Sequence, residues 1–176
     1  SVDVLGNIEE TNSLIINVDT TPPITQVFFE GPYFNNFITT NTYILLKATD
    51  PISNNVSCGV KTTRYRIDGG SWVVYTSKFK LSNLEEGYHT IEYYSEDNLG
   101  NIEEIKSLTV IIDNSPPETT LDIGVPKFSF DDKIWVSSNT LFVLKAIDFG
   151  KIPCGVASIK FSIDDIPWQV YTGEFN

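Results

Sequence analysis

The first ten residues of the chain, SVDVLGNIEE, return at residues 95–104 as SEDNLGNIEE, identical at eight of ten positions. A self-match of this length sets the architecture before any other signal is read, because repeated sequence means repeated structural units. The match runs on from TNSLIINVDTTPPIT (11–25) into IKSLTVIIDNSPPET (105–119) at the same offset of 94. TNTYILLKATD (40–50) reappears as SNTLFVLKAID (138–148) at offset 98, and CGVKTTRYRIDGGSWVVYTSKF (58–79) as CGVASIKFSIDDIPWQVYTGEF (154–175) at offset 96. The offset moves only in stretches rich in Pro, Gly, Asn and Asp, where loops absorb insertions.

One unit is therefore about 96 residues long. The chain divides into the tail, or last strand, of a preceding copy (1–20), one complete copy (21–114) and the first two thirds of a following copy (115–176). Both ends cut through a repeat, as expected of a window from a longer array whose units bury their ends against neighbours. The alternative is a subunit whose orphan tail completes another chain's truncated copy by strand donation.

Inside the complete copy, short runs rich in Val, Ile, Tyr, Phe and Thr are divided by Gly, Pro, Asn and Asp, and no stretch has a trustworthy helical period. Seven strands are expected, at 24–30, 42–49, 60–68, 71–76, 78–81, 87–96 and 101–112. Asp68-Gly69-Gly70 and Asn98-Leu99-Gly100-Asn101 suit tight turns that need positive φ. Seven strands in so short a unit imply an all-β, two-sheet sandwich, with Phe37, Leu45, Trp72, Ile91 and Tyr93 expected inside.

Composition agrees with a folded protein: 41% of residues are hydrophobic and 12% aromatic. Twenty-three acidic against twelve basic side chains leave a net charge of −11, which repels phosphate backbones and anionic lipid headgroups. Nucleic acid is thus excluded as an expected partner. Direct membrane insertion is equally unexpected, since no run approaches the roughly 18 apolar residues of a spanning helix.

The string IDGGSWVVYT, then LSNLEEGYHTIEYYSEDNLGN, then a strand ending in IIDNSPPET resembles the Ig-like repeats of large secreted and cell-surface proteins of bacteria and archaea, whose layout is similar to fibronectin type III. The resemblance covers essentially the whole chain. It implies tandem seven-stranded sandwiches, an extracellular or cell-surface location, and Leu84, Gly87 and Tyr88 placed as the turn and tyrosine corner that open the sixth strand. A departure is the Cys of Cys58-Gly59-Val60 and Cys154-Gly155-Val156, where Ser is the expected residue.

Candidates for chemistry are few. His89, the sole histidine, has no evident nucleophile partner and reads as a structural residue. The doublets Glu9-Glu10, Glu85-Glu86, Glu103-Glu104, Asp131-Asp132 and Asp164-Asp165 read as solubility charges, because neighbours within a strand point to opposite faces. Trp72 with Tyr75, and Trp168 with Tyr171, suit a sugar-stacking platform or, preferably, a packed core, and Trp135, aligned with Phe37, suggests packing. Asp19 and Asp113 immediately precede the two Pro-Pro junctions, and Asp50 and Asp97 sit in loops, so these four carboxylates are the candidate calcium ligands. Asn55, in Asn55-Val56-Ser57, is the one N-glycosylation sequon. Cys58 and Cys154 occupy the same position of successive copies, so a bridge within one copy is excluded, and they are candidates for interchain crosslinks or for buried thiols.

The function expected is non-catalytic: a structural array of a surface protein, serving as stalk, S-layer, sheath, filament or adhesin segment, with neighbouring repeats and other copies of the chain as partners. The competing expectation is an accessory carbohydrate-binding or spacer module of a secreted enzyme. Exposed aromatics lining one groove would favour the second.

Overall fold

The computed structural model describes residues 1–53, 56–164 and 166–176. Eight strands form in the first part: β1 (Ile24–Glu30), β2 (Tyr33–Phe34), β3 (Phe37–Ile38), β4 (Tyr43–Thr49), β5 (Val60–Ile67), β6 (Val73–Val74), β7 (Gly87–Asp97) and β8 (Lys106–Ile112). β1 and β4 pair antiparallel, and the other six form one sheet in the order β2-β3-β8-β7-β5-β6. Alternation in GYHTIEYYSED shows why β7 is central: Ile91, Tyr93, Ser95 and Asp97 turn inward and are buried, while Tyr88 points out. The two sheets meet over Ile38, Ile44, Leu46, Leu81, Ile91, Tyr93, Val110 and Ile112. The architecture is all-β and sandwich-like.

A second set of strands follows: β9 (Glu118–Ile123), β10 (Lys127–Phe130), β11 (Lys133–Val136), β12 (Phe142–Ile147), β13 (Lys160–Phe161) and β14 (Gln169–Val170). It reproduces part of the first set. Tyr65 stacks on Phe79 at 4.0 Å with Tyr75 edge-on to both, and Phe161 stacks on Phe175 at 4.4 Å with Tyr171 edge-on to both. Ile44 and Phe79 exchange two backbone hydrogen bonds, as do Phe142 and Phe175. The repeat in sequence is thus a repeat in packing.

Several expectations need correction. In β4 the inward residues are Ile44 and Leu46, and Leu45 lies on the other face, half-buried. The expected strand 71–76 shrinks to β6, residues 78–81 contribute only the Phe79 bridge, and β8 begins at Lys106 after a single bridge at Ile102. The β2–β3 hairpin was not anticipated, because two-residue strands leave no periodicity to read. Tyr88 is 66% exposed and makes no tyrosine corner. No tryptophan is a core residue. Trp72 packs edge-on against Tyr94 with the Arg66 guanidinium 4.6 Å from its ring centre, on the outer face of the large sheet. Trp135 and Trp168 are 59% and 73% exposed. For Trp168 the reason is visible: its counterpart Trp72 packs on Tyr94 of β7, and no residue up to 176 corresponds to β7 in the second set.

The same logic explains residues 1–20, which form no strand beyond a Val2–Ile8 bridge. Ile16 and Val18 are 72% and 73% exposed, whereas their counterparts Val110 and Ile112 are fully buried between β3 and β7. A strand without neighbours has no ladder to join.

Replacing Ile91 with Ala should cost about 3 kcal/mol in chemical denaturation, since its side chain is fully buried at the centre of the core, while Val73→Ala should change stability by less than about 0.5 kcal/mol.

Candidate metal centre

The motif Asp-x-Leu-Gly-Asn builds a loop from its own side chains. Asp97 Oδ1 accepts the amides of Leu99 and Asn101, and Oδ2 accepts the Asn101 side-chain amide at 2.6 Å. Asp3 makes the same three bonds with Leu5 and Asn7, in an exposed setting. The loop is therefore local property, and the tertiary structure decides what it faces.

Around Asp97, the fold gathers three further segments. Asp19, just before the Thr-Thr-Pro-Pro junction, accepts the Thr21 amide on Oδ1 and the Cys58 amide on Oδ2 at 2.7 Å. Asp50, at the end of β4, takes the Gly59 amide and the Ser57 hydroxyl on Oδ2. Asn98 donates to the carbonyls of Cys58 and Gly59, and Asn101 to the carbonyl of Asp19. One donor atom from each of Asp19, Asp50, Cys58 and Asp97 lies within 4.8 Å of the others. Asp19 and Asp97 are 7% and 0% exposed.

The arrangement recurs one repeat later. Asp113 Oδ2 accepts the Cys154 amide at 2.7 Å, Asp148 Oδ2 accepts the Gly155 amide at 2.6 Å, and Asp113, Asp148 and Cys154 form a second cluster. In both clusters an Asp three residues before a Pro-Pro pair accepts the backbone amide of the Cys in a Cys-Gly pair. Glu86 strengthens the second junction by accepting the Asn114 amide, the Ser115 hydroxyl and the Lys151 amide.

Electrostatics follow from these contacts. Burial alone pushes the Asp97 carboxyl up, but the Asn101 side chain and amide, the Cys58 thiol and the Leu99 amide favour the anion and hold it at about 2. Amide donors likewise lower Asp19. Burial first, then the Asp97 carboxylate, raises the Cys58 thiol, and the hydrogen bond to Asp113 pushes Cys154 up to about 11. Both cysteines are free thiols, Cys58 half-buried and Cys154 exposed.

Of the four carboxylates expected to bind a cation, the fold brings Asp19, Asp50 and Asp97 together and places Asp113 in the other cluster. Sequence reasoning missed the two thiols and Asp148 as members, although the alignment of Asp50 with Asp148 was available as a signal. Asn55 lies outside the described residues. Two of the acidic doublets hold more than solubility charges: Glu86 ties the junction, and Glu103, 7% exposed, accepts the Thr25 amide and hydroxyl and pairs with Lys106 at 2.8 Å. His89 bonds Asp68 through Nδ1 and the Glu85 carbonyl through Nε2. Burial disfavours the charged ring, but the hydrogen bonds to Asp68 and to the Glu85 carbonyl outweigh it and raise the His89 pKa, which makes it a hydrogen-bonded structural residue as the sequence suggested.

Compared with known proteins, the chain matches no family model, no curated protein and no solved structure.

The depressed Asp97 carboxyl gives a signed pH prediction. A folded value below the unfolded one adds stability that is present above about pH 4 and is lost as pH falls toward about 2. The stability difference between the unaltered chain and Asp97→Asn, followed by denaturant titration, should be constant from neutral pH to about pH 5 and shrink below about pH 4. A difference that persists undiminished at about pH 2 would contradict the assignment.

Proposed function

We propose that the chain is a non-catalytic, load-transmitting segment of an extracellular surface protein, such as a stalk, sheath, S-layer or filament, made of tandem Ig-like, fibronectin type III-like repeats. Residues 21–114 are one such unit, flanked by the tail of its predecessor and the larger part of its successor. The reading rests on one observation above all: the carboxylate that ends one unit holds the Cys-Gly backbone of the next, at both junctions, by the same bond. Such a clamp gives nothing to catalysis but fixes how neighbouring units join. Only Asp113 to Pro117 separate β8 from β9, and two prolines restrict φ and favour extended chain. The acidic surface serves solubility.

The competing carbohydrate-binding reading finds a crevice of about 280 Å³ lined by Tyr33, Phe34, Phe37 and Ile38, with Asp113 and Cys154 at one side. A sugar site pairs aromatic faces with several polar groups free to bond hydroxyls. Here Asp113 is already engaged with Cys154 and Ser115, so the structural reading is preferred.

Small-angle scattering of the 176-residue chain should fit an extended particle with a fixed junction, and Glu86→Gln combined with Asp113→Asn should loosen it, seen as a broader distance distribution. Freely jointed units in the unaltered chain would rule the rod out. A second expectation concerns assembly: Cys154, the exposed thiol, is the residue placed for a crosslink between copies. Non-reducing electrophoresis under oxidising conditions should show dimers that collapse with reductant and are absent in Cys154→Ser; monomers throughout would remove the crosslink from the proposal.

A further inference from the structure

Among the described residues, Asp50 Oδ1 is buried and has no hydrogen-bond partner, and the same is true of Asp148 Oδ1 at the matching position of the next repeat. A buried carboxylate oxygen without a partner is costly and calls for a ligand or an ion. One such atom is unremarkable among many polar groups. The same atom left unpaired in both copies, in loops as different as PISNNVSCG and FGKIPCG, is a property of the site rather than of either loop.

The donors available around Asp50 can be counted, because each carboxylate oxygen has two lone-pair directions. Asp50 Oδ2 is filled by Gly59 and Ser57, and Asp97 Oδ1 by Leu99 and Asn101. Asp50 therefore offers Oδ1 alone. Asp97 offers one direction on Oδ2, the other being taken by Asn101, and Asp19 offers one on either oxygen beside the amides of Thr21 and Cys58. Neither Asp50 nor Asp97 has both oxygens free to chelate. What remains is one oxygen each from Asp50 and Asp97, the two half-used oxygens of Asp19 and one sulfur, and one ligand atom from each of the four residues lies within 4.8 Å of the others. Calcium takes six to eight oxygens and gains little from sulfur. Four donors including a Cys match the tetrahedral preference of zinc.

We propose that Asp19, Asp50, Cys58 and Asp97 form a binding site for a zinc-class divalent cation, held by one oxygen of each carboxylate and by the Cys58 sulfur. Binding displaces the Cys58 thiol proton to solvent, so that sulfur ligates as thiolate. The ligands come from the inter-unit junction, the end of β4, the loop before β5 and the end of β7, so one ion cross-ties four segments at the place where successive repeats join. In the following repeat Asp113, Asp148 and Cys154 supply three donors of the same kind.

The site is tested on the full 176-residue chain, stripped with chelator and kept reduced, by titration with Zn²⁺, Co²⁺ and Ca²⁺. One zinc per chain should survive gel filtration and raise the melting temperature. Cobalt should give a near-ultraviolet thiolate-to-metal band that is lost in Cys58→Ser and kept in Cys154→Ser. Asp50→Asn should weaken zinc binding by about tenfold or more. Circular dichroism of the metal-free variants establishes that they fold. Should Cys58→Ser fail to fold, the unaltered chain carries the test: zinc should slow iodoacetamide modification of Cys58 far more than that of Cys154. The proposal is overturned if the folded chain retains no zinc, if the cobalt band survives Cys58→Ser, if zinc protects neither thiol, or if calcium binds alone and is indifferent to Cys58→Ser. Scattering from the metal-free chain judges the rod separately, so failure of the site leaves that reading standing.

Discussion

Antiparallel pairing of β7 with β5 on one side and β8 on the other is the interaction on which the rest depends. Every backbone group of a central strand must find a partner, and only a strand paired on both edges can turn one whole face into a core. Ile91 and Tyr93 fill that face and meet Val110 and Ile112 from β8 and Ile44 and Leu46 from β4. The contrast within the chain makes the dependence plain. In the second set of strands the aromatic trio Phe161, Tyr171 and Phe175 forms with nearly the same geometry as Tyr65, Tyr75 and Phe79, yet Leu121 stays 51% exposed because nothing equivalent to β7 lies over it.

A consequence of that paired centre is the location of the metal cluster. β7 ends in Asp97, whose side chain still points inward, so the strand delivers a fully buried carboxylate to the same end of the sandwich where Asp50 follows β4. Asp19 joins them there because the chain must pass that end to begin β1. Junction and cluster are thus one structure. Carboxylates at the joint are stabilised by the backbone amides of Thr21, Cys58, Gly59, Leu99 and Asn101, which is why four acidic or thiol groups tolerate such close approach.

Much of the architecture was legible from residues alone. Long strands with clear alternation, such as 24–30, 60–67 and 87–97, were readable because period and length both exceed what a loop produces. Short ones were not. Two-residue strands such as β2 and β3 owe their existence to a neighbour's free edge, and sequence has no signal for that. Which face of 42–49 turns inward was also misjudged: in YILLKAT both faces carry apolar residues, so only the register Phe28↔Leu45 and the sheet opposite decide that Ile44 and Leu46 go in. The tryptophans misled for a related reason, since a large aromatic residue suits an outer-face contact with Tyr94 and Arg66 as well as it suits a core.

What the sequence by itself determined is local or periodic. The repeat length, the strand-forming runs, and the Asp-x-Leu-Gly-Asn loop follow from nearest neighbours, and the loop proves it by closing identically at Asp3, in the open, and at Asp97, in full burial. What only the tertiary structure decided is convergence. Asp19 and Cys58 are 39 positions apart and Thr25 and Glu103 are 78 apart, and no local preference brings such residues together. That requires the sheet to exist first, because only the sheet fixes where each strand ends and which side chains those ends share.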